Sequence, residues 1–324
     1  MHHHRGTSLE QKRLFLHWLT ATFASLCGCL ADAALAEKPG DAPHVQLRPV
    51  TVTGTRHDIH DVASEAERVG PANQPEWTAR RAFAETDIYV IPPGEFEFNQ
   101  FYVFSQLRHE RPEHQFETEF EFGLPWRTQF DVELIYNATG GQLTYDATQL
   151  EIPHALADWG KIPLNPALDA GWRFNAGEDD AYFFRLLLAE EFSPRVHFGA
   201  NLAFDRQIGG ELETGYELNV ALNYVALDTK LAIGAELLVE YETEREEEAA
   251  GESEWLHSTT VMLGPSLLYR PTRHTHLALV PMFGLTRESP TVEAFFIFGL
   301  DLELFGGGES GDKSERVRPL RRLK

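Results

Sequence analysis

The chain has 324 residues, with 28 Lys and Arg against 50 Asp and Glu, a formal net charge of −22. So acidic a chain excludes nucleic acid as a partner, because binding phosphates requires a basic surface. Its two cysteines, Cys27 and Cys29, fall together near the start, so disulfides play no part in the rest of the chain.

Lys12 and Arg13 precede a mostly apolar run from Leu14 to Leu30, and Ala31-Asp32-Ala33-Ala34-Leu35-Ala36 comes next. A basic start, a short apolar stretch and an A-x-A end predict a secretory signal peptide, residues 1–36, cleaved after Ala36. The run is too short and too interrupted for a spanning helix, which needs about 20 apolar residues. Leu26-Cys27-Gly28-Cys29 also resembles a lipidation signal with Cys29 as acceptor. Residues 37–93 are polar and lack long periodicity, which predicts a mostly irregular periplasmic segment that can partly plug the region after it. Val50-Thr51-Val52-Thr53-Gly54-Thr55-Arg56 is a short β-prone exception.

From Glu95 to Phe305 the pattern changes to strict alternation. Phe116-Glu117-Thr118-Glu119-Phe120-Glu121-Phe122 is its clearest block: a strand sends successive side chains to opposite faces, so one face is apolar and the other acidic. Twelve such strands are expected, at 95–107, 114–123, 128–137, 142–152, 166–175, 181–191, 195–206, 212–225, 230–243, 256–269, 274–286 and 291–305. Segments of about ten alternating residues predict an all-β fold, an antiparallel transmembrane β-barrel over residues 94–305. The mean hydropathy of −0.31 suits this, since only alternate residues face lipid.

The connections sort into two sets. Those at 123–127, 192–195, 227–230 and 270–273 are tight, and 153–165 on the same side is long; its residues His154–Trp159 are expected to form one helical turn. The alternate set, 108–113, 138–141, 176–180, 207–211, 244–255 and 287–290, is more polar. Outer-membrane barrels keep short turns in the periplasm, which puts both termini there. Trp126, Tyr224 and Tyr269 near the tight turns, and Tyr136, Phe174, Phe204 and Tyr241 near the outer loops, are expected to form two interfacial girdles in contact with outer-membrane lipid. Gly299-Leu300-Asp301-Leu302-Glu303-Leu304-Phe305 resembles the terminal signal read by the barrel-assembly machinery, and the basic tail 306–324 comes after it.

Phe83-Ala84-Glu85-Thr86-Asp87, Ala157–Pro163 and Gly264-Pro265-Ser266-Leu267 resemble segments of uncharacterised bacterial outer-membrane barrels of the transporter-like kind, near the phenol meta-pathway barrel proteins. The resemblance covers about residues 75–305; it implies the fold and little chemistry. Val50–Arg56 resembles the segment that opens TonB-dependent receptor plugs, although only the 57 residues 37–93 lie between the signal peptide and the barrel, and twelve strands are far fewer than the roughly 22 of such transporters.

The inner-face residues are the functional candidates: Glu95, Glu97, Glu117, Glu119, Glu121, Asp131, Glu133, Glu217, Glu236, Glu240, Glu293, Asp301 and Glu303, with Arg173 and Arg185 as sparse counter-charges. They either line a cation-attracting pore or simply solvate the inner face and pair with the few arginines. No metal, cofactor or catalytic site is expected. Arg108–His114 contains Pro112 and is not a metal-binding helix. His274 and His276 share a strand face, but two ligands do not make a site. Glu244–Glu248 reads as a solvated charge run. There is no G-x-S-x-G, and Ser258, Ser266 and His257 are close only in sequence. The expectation is therefore a non-enzymatic narrow conduit for cations or small solutes. The alternative is a non-transporting barrel that anchors a periplasmic partner, and the third reading is a surface lipid hydrolase.

Overall fold

The computed structural model describes residues 66–108, 111–139, 141–209, 212–247 and 253–303. The signal peptide, the Val50–Arg56 segment and the basic tail lie outside them. Twelve antiparallel strands form a closed barrel: β1 (Glu95–Gln106), β2 (Glu113–Leu124), β3 (Thr128–Thr139), β4 (Gln142–Glu151), β5 (Ala167–Asn175), β6 (Ala181–Ser193), β7 (Val196–Gln207), β8 (Thr214–Leu227), β9 (Leu231–Glu247), β10 (Ser253–Thr272), β11 (Thr275–Gly284) and β12 (Val292–Glu303). Each strand pairs with its sequence neighbours, and β12 pairs with β1 from Val292↔Gln106 to Glu303↔Glu95. Closure joins the last strand to the first, so no strand is left as the free edge of an open sheet, the condition for a sheet to sit in hydrocarbon.

The alternation in the sequence fixes which face each residue takes. Leu218, Leu222, Leu277, Leu279, Phe296 and Phe298 point out, and Leu277, Leu279, Phe296 and Phe298 are exposed although large and apolar. The same belt holds chains of aromatic rings near the loop end: Tyr182–Phe204, Phe204–Tyr216 and Tyr216–Tyr241 have centroids 6.2, 5.4 and 6.4 Å apart. At the tight-turn end Trp126 is 85 % exposed and stands with Arg127 in the left-handed region (φ 64° and 58°) at the tip of the β2–β3 turn. A closed barrel with an apolar outer belt and aromatic ends is the architecture of a bacterial outer-membrane protein.

Residues 66–94 lie inside the barrel rather than beside it. A two-residue bridge joins Arg68–Val69 to Gln74–Pro75, one 3₁₀ turn covers Glu76–Ala79, and the rest is irregular. Trp77, Phe83, Ile88, Val90 and Ile91 are buried. The connection 153–165 departs from the expected helical turn. His154–Ala155 instead forms a short strand that pairs with Thr128 on one side and with Ala167 and Leu168 on the other, and bends succeed it. Pro153 and Pro163 restrict the backbone on either side of the sequence expected to coil.

Candidate functional site

The site is the lumen at the tight-turn end, where the inner segment meets the wall. Strand register places like charges side by side. Asp301 pairs with Glu97, Glu97 with Glu121, Glu121 with Asp131, and Asp131 with Glu151, one row across five strands. Like charges directly opposite are destabilising, so the row needs counter-charge and donors. Asn99 Nδ2 donates to Glu97 (3.1 Å), Glu119 (3.1 Å) and Glu121 (3.0 Å). Gln129 Nε2 donates to Glu121 (2.8 Å) and Asp131 (3.0 Å).

Arg81 and Arg185 supply counter-charge. Arg81 of the inner segment reaches Glu119 at 2.7 Å, Asp87 at 3.4 Å and Glu121 at 3.5 Å. Burial works against its charge, and Glu119, Asp87, Glu121 and Glu97 outweigh that penalty, so its pKa stands above the ordinary arginine value and it stays protonated. Arg185 of the wall contacts Asp169 at 2.6 Å, Asp87 at 2.8 Å and Glu151. Asp87 is thus held between the two guanidiniums. The space left among Arg81, Asp87, Glu97, Glu119, Glu121 and Asp131 is a cavity of about 30 Å³, room for one water.

An irregular backbone inside a barrel must find hydrogen-bond partners other than secondary structure. The wall supplies them as side-chain amides. Asn223 donates to Ala82 O (2.7 Å), Asn219 to Glu85 O (3.0 Å) and Asn201 to Asp87 O (2.7 Å), while Gln129 accepts from Ile91 N (2.7 Å). Glu236, fully buried, accepts from the amides of Ala84 (3.1 Å) and Glu85 (3.1 Å). Gly123 leaves room for the segment's exit: a Cβ there would stand 1.9 Å from Pro92 O.

Packing adds to these bonds. Trp77 stacks on His197 with centroids 4.3 Å apart and planes 4° from parallel, and its Nε1 donates to Glu191 at 3.2 Å. Trp159, from the long connection, meets Trp77 edge-on at 5.9 Å and Tyr89 at 5.3 Å. Trp159 N donates to Ala72 O at 2.9 Å, and Tyr89 Oη donates to Ala157 O at 2.6 Å. Burial, together with Asp158, pushes the Tyr89 phenol up to about 12 against the opposing pull of Arg127, so it serves as a donor. The long connection therefore folds over the inner segment.

Deeper in, Ala84 rests on an apolar sector of the wall formed by Phe101, Val103, Leu238, Met262, Val280, Met282, Phe295 and Ile297. Beside Ala84, Glu85 lies in reach of Glu117, Glu217, Glu293 and Glu236; burial first, then these four charges, raises its pKa well above the ordinary carboxylate range. Beyond it toward the loops, Glu117, Glu133, Asp205, Glu217, Glu240 and Glu293 are half-buried on the inner face, with Arg173 among them.

The expected inner-face residues are therefore divided by level. Glu97, Glu119, Glu121, Asp131, Arg185 and Glu236 meet the inner segment or its immediate surroundings, and Asp301 borders this group. Glu117, Glu133, Arg173, Glu217, Glu240 and Glu293 line the loop side. Glu95 is half-buried at the rim and Glu303 is exposed there. Of the girdle residues, Trp126, Phe174, Tyr224 and Tyr269 are exposed and Tyr136, Phe204 and Tyr241 half-buried. His257, Ser258 and Ser266 do not converge: His257 is an exposed partner of Tyr241 Oη, Ser258 donates to Glu242, and Ser266 donates to Asn223. His274 lies in the β10–β11 turn and bonds the carbonyl of Asp301, apart from the buried ring of His276. Sequence reasoning missed Arg81, Glu85, Asp87 and Trp77. The signal for them was the density of apolar residues from Trp77 to Ile91 around a pair of arginines in a strongly acidic chain.

No family model and no curated protein match the chain, so its likeness to the meta-pathway barrels and the receptor-like reading of Val50–Arg56 find no support. Solved structures do match in outline. An outer-membrane channel from Pseudomonas putida F1 is 9 % identical, with a TM-score of 0.48 over 68 % of this chain and 100 % of that one. The NanC porin is 10 % identical, with a TM-score of 0.44 over 64 % and 100 %. The KdgM porin is 10 % identical, with a TM-score of 0.41 over 63 % and 97 %.

Proposed function

We propose that the protein is an outer-membrane conduit held shut by residues 66–94, and that it passes small cations and small polar solutes when that segment gives way. One observation carries the reading: wall side chains, from Asn223 to Gln129, bond the backbone of the inner segment in place of water. Each such bond contributes about 1 kcal/mol net, so the contact is specific yet reversible. The acidic vestibule around Glu117, Glu217 and Glu293 supports cation preference, because carboxylates in a confined lumen concentrate cations. The apolar sector beside it suits solutes that join an apolar body to a cationic or hydrogen-bonding group. With the tight turns periplasmic, as in other barrels, the inner segment closes the periplasmic end.

The test is single-channel recording in planar bilayers under a KCl gradient. The wild type is expected to be closed most of the time. Arg81→Ala leaves Glu119 and Glu121 without their guanidinium and should raise open time at least tenfold, with a cation-selective reversal potential. Silence of both proteins, or an anion-selective reversal, overturns the reading. The deep burial of Trp77 favours a second reading, a permanently closed barrel that presents its N-terminal region to a periplasmic partner. Silence of Arg81→Ala together with a specific crosslinked partner would select it.

A further inference from the structure

Three adjacent strands at the barrel's closing seam bring one imidazole and two carboxylates together. His276 lies on β11, Asp301 on β12 and Glu97 on β1; Asp301 pairs directly with Glu97, and His276 lies opposite Gly299. One ligand atom from each of the three residues can be chosen so that all lie within 4.8 Å of one another. His276 Nε2 is 3.7 Å from Glu97 Oε1, and Nδ1 is 3.6 Å from Asp301 Oδ1. Both separations are too long for a hydrogen bond. His276 is fully buried, and neither ring nitrogen has a hydrogen-bond partner; nor does either carboxylate oxygen of Asp301, or Oδ1 of Asn99. Burying such groups unpaired is costly, so five in one corner require an explanation.

Gly299 shows how the corner is shaped. A Cβ at this position would stand 1.9 Å from His276 Cε1, 2.0 Å from its Nε2 and 2.6 Å from Asn99 Oδ1. The absent side chain makes room for the ring, which fills that space with Nε2 and Asn99 Oδ1 both beside the glycine. Ligands on a tetrahedral ion with bonds of 2.0–2.1 Å are roughly 3.3 Å apart, whereas one ligand atom from each residue here lies within 4.8 Å of the others; the 3.7 and 3.6 Å separations run to different ring nitrogens, only one of which binds a given ion. The ion therefore binds through one ring nitrogen, and the carboxylate that faces the other must turn toward it. Two cations stand near: the Arg81 guanidinium bonds Glu119, and Arg270 bonds the carbonyl of Arg81. Glu97, Asp301, Glu119 and Glu121 outnumber them.

We propose that Glu97, His276 and Asp301 form a binding site for one divalent transition-metal ion of the Zn²⁺ kind, with Asn99 Oδ1 as a further oxygen donor. One imidazole with carboxylate and carbonyl oxygens is a donor set for such an ion, and buried charge of this sign favours it. The ion joins the last two strands to the first. Because Glu97 also accepts from Arg81 N at 3.1 Å, it lies one bond from the inner segment.

The test uses the folded full-length protein in detergent, stripped with a chelator and titrated with ZnCl₂ by calorimetry, with metal content measured by mass spectrometry. The wild type should take up one more Zn²⁺ than His276→Asn, and His274→Asn should match the wild type, which subtracts binding by the histidines near the N-terminus. Co²⁺ in the same site should give visible d–d absorption that His276→Asn lacks. Retained heat-modifiable gel mobility shows that the variant is folded; if it is not, Glu97→Gln, nearly isosteric, should weaken the extra site at least tenfold. Equal Zn²⁺ uptake and equal Co²⁺ spectra in wild type and folded variants overturn the proposal and leave His276 as a structural ring between two carboxylates.

Discussion

In the proposed closure of this barrel, Glu85 is the residue that responds to pH. It sits at the inner end of the segment, with Glu117, Glu217, Glu293 and Glu236 as neighbours, and burial and these charges raise its pKa. A raised carboxylate pKa means that the docked segment holds a proton which the undocked segment releases above its ordinary value near 4.5. Docking is therefore strongest below that value and weakens as pH rises toward the raised pKa, by up to about tenfold per unit for one proton. Open time should increase from pH 4.5 upward in bilayer recordings. Glu85→Gln carries no titrating group and should flatten the contribution of this site, remaining closed at pH 7.5. A wild-type open time that falls with pH over this range, or a Gln variant with an unchanged slope, would remove Glu85 from the account.

At the scale of elements, the inner segment and the connection 153–165 act together through Trp77. The ring is 1 % exposed, stacked on His197 and edge-on to Trp159. Truncating a buried tryptophan costs about 3–5 kcal/mol, here charged against docking because the barrel strands pair independently of it. Trp77→Ala should expose Arg80 and Arg81 to trypsin while the barrel keeps its heat-modifiable mobility; protection equal to wild type would show that the ring does not hold the segment. The strands were legible in the sequence because a period of two survives any loop length: every barrel strand falls within a few residues of where alternation puts it. The inner segment was not, because its order depends on side-chain amides of distant strands, Asn201, Asn219 and Asn223, which no local pattern announces. Nor was the apolar sector of the lumen, since Val280 and Met282 alternate with equally apolar outward neighbours on β11 and periodicity cannot tell the faces apart. His276 was visible as a histidine, but its partners Glu97 and Asp301 become neighbours only when the barrel closes.

For the whole molecule, the charge of the chain and its place in a membrane are reconciled by closure. The strands can carry so many carboxylates because alternation sends them inward, where Arg81, Arg185 and the wall amides receive them. The outer surface of the same strands is left apolar, and its tolerance to charge should depend on depth alone. Leu279 lies outward at the middle of β11, and Leu302 lies outward near the tight-turn end of β12; both are exposed to similar extents, 37 % and 40 %. If exposure to water governed the effect, Leu279→Arg and Leu302→Arg would behave alike. In a bilayer the first places a guanidinium in hydrocarbon, at a cost of about 2–4 kcal/mol, and the second near the interface, at about 0–1 kcal/mol. Reversible denaturant unfolding from phospholipid vesicles should therefore separate the two variants by about 2 kcal/mol or more, with Leu279→Arg the less stable. Equal losses in vesicles would mean that the belt does not face hydrocarbon, and the barrel's place in the outer membrane, with every transport property argued from it, would fall.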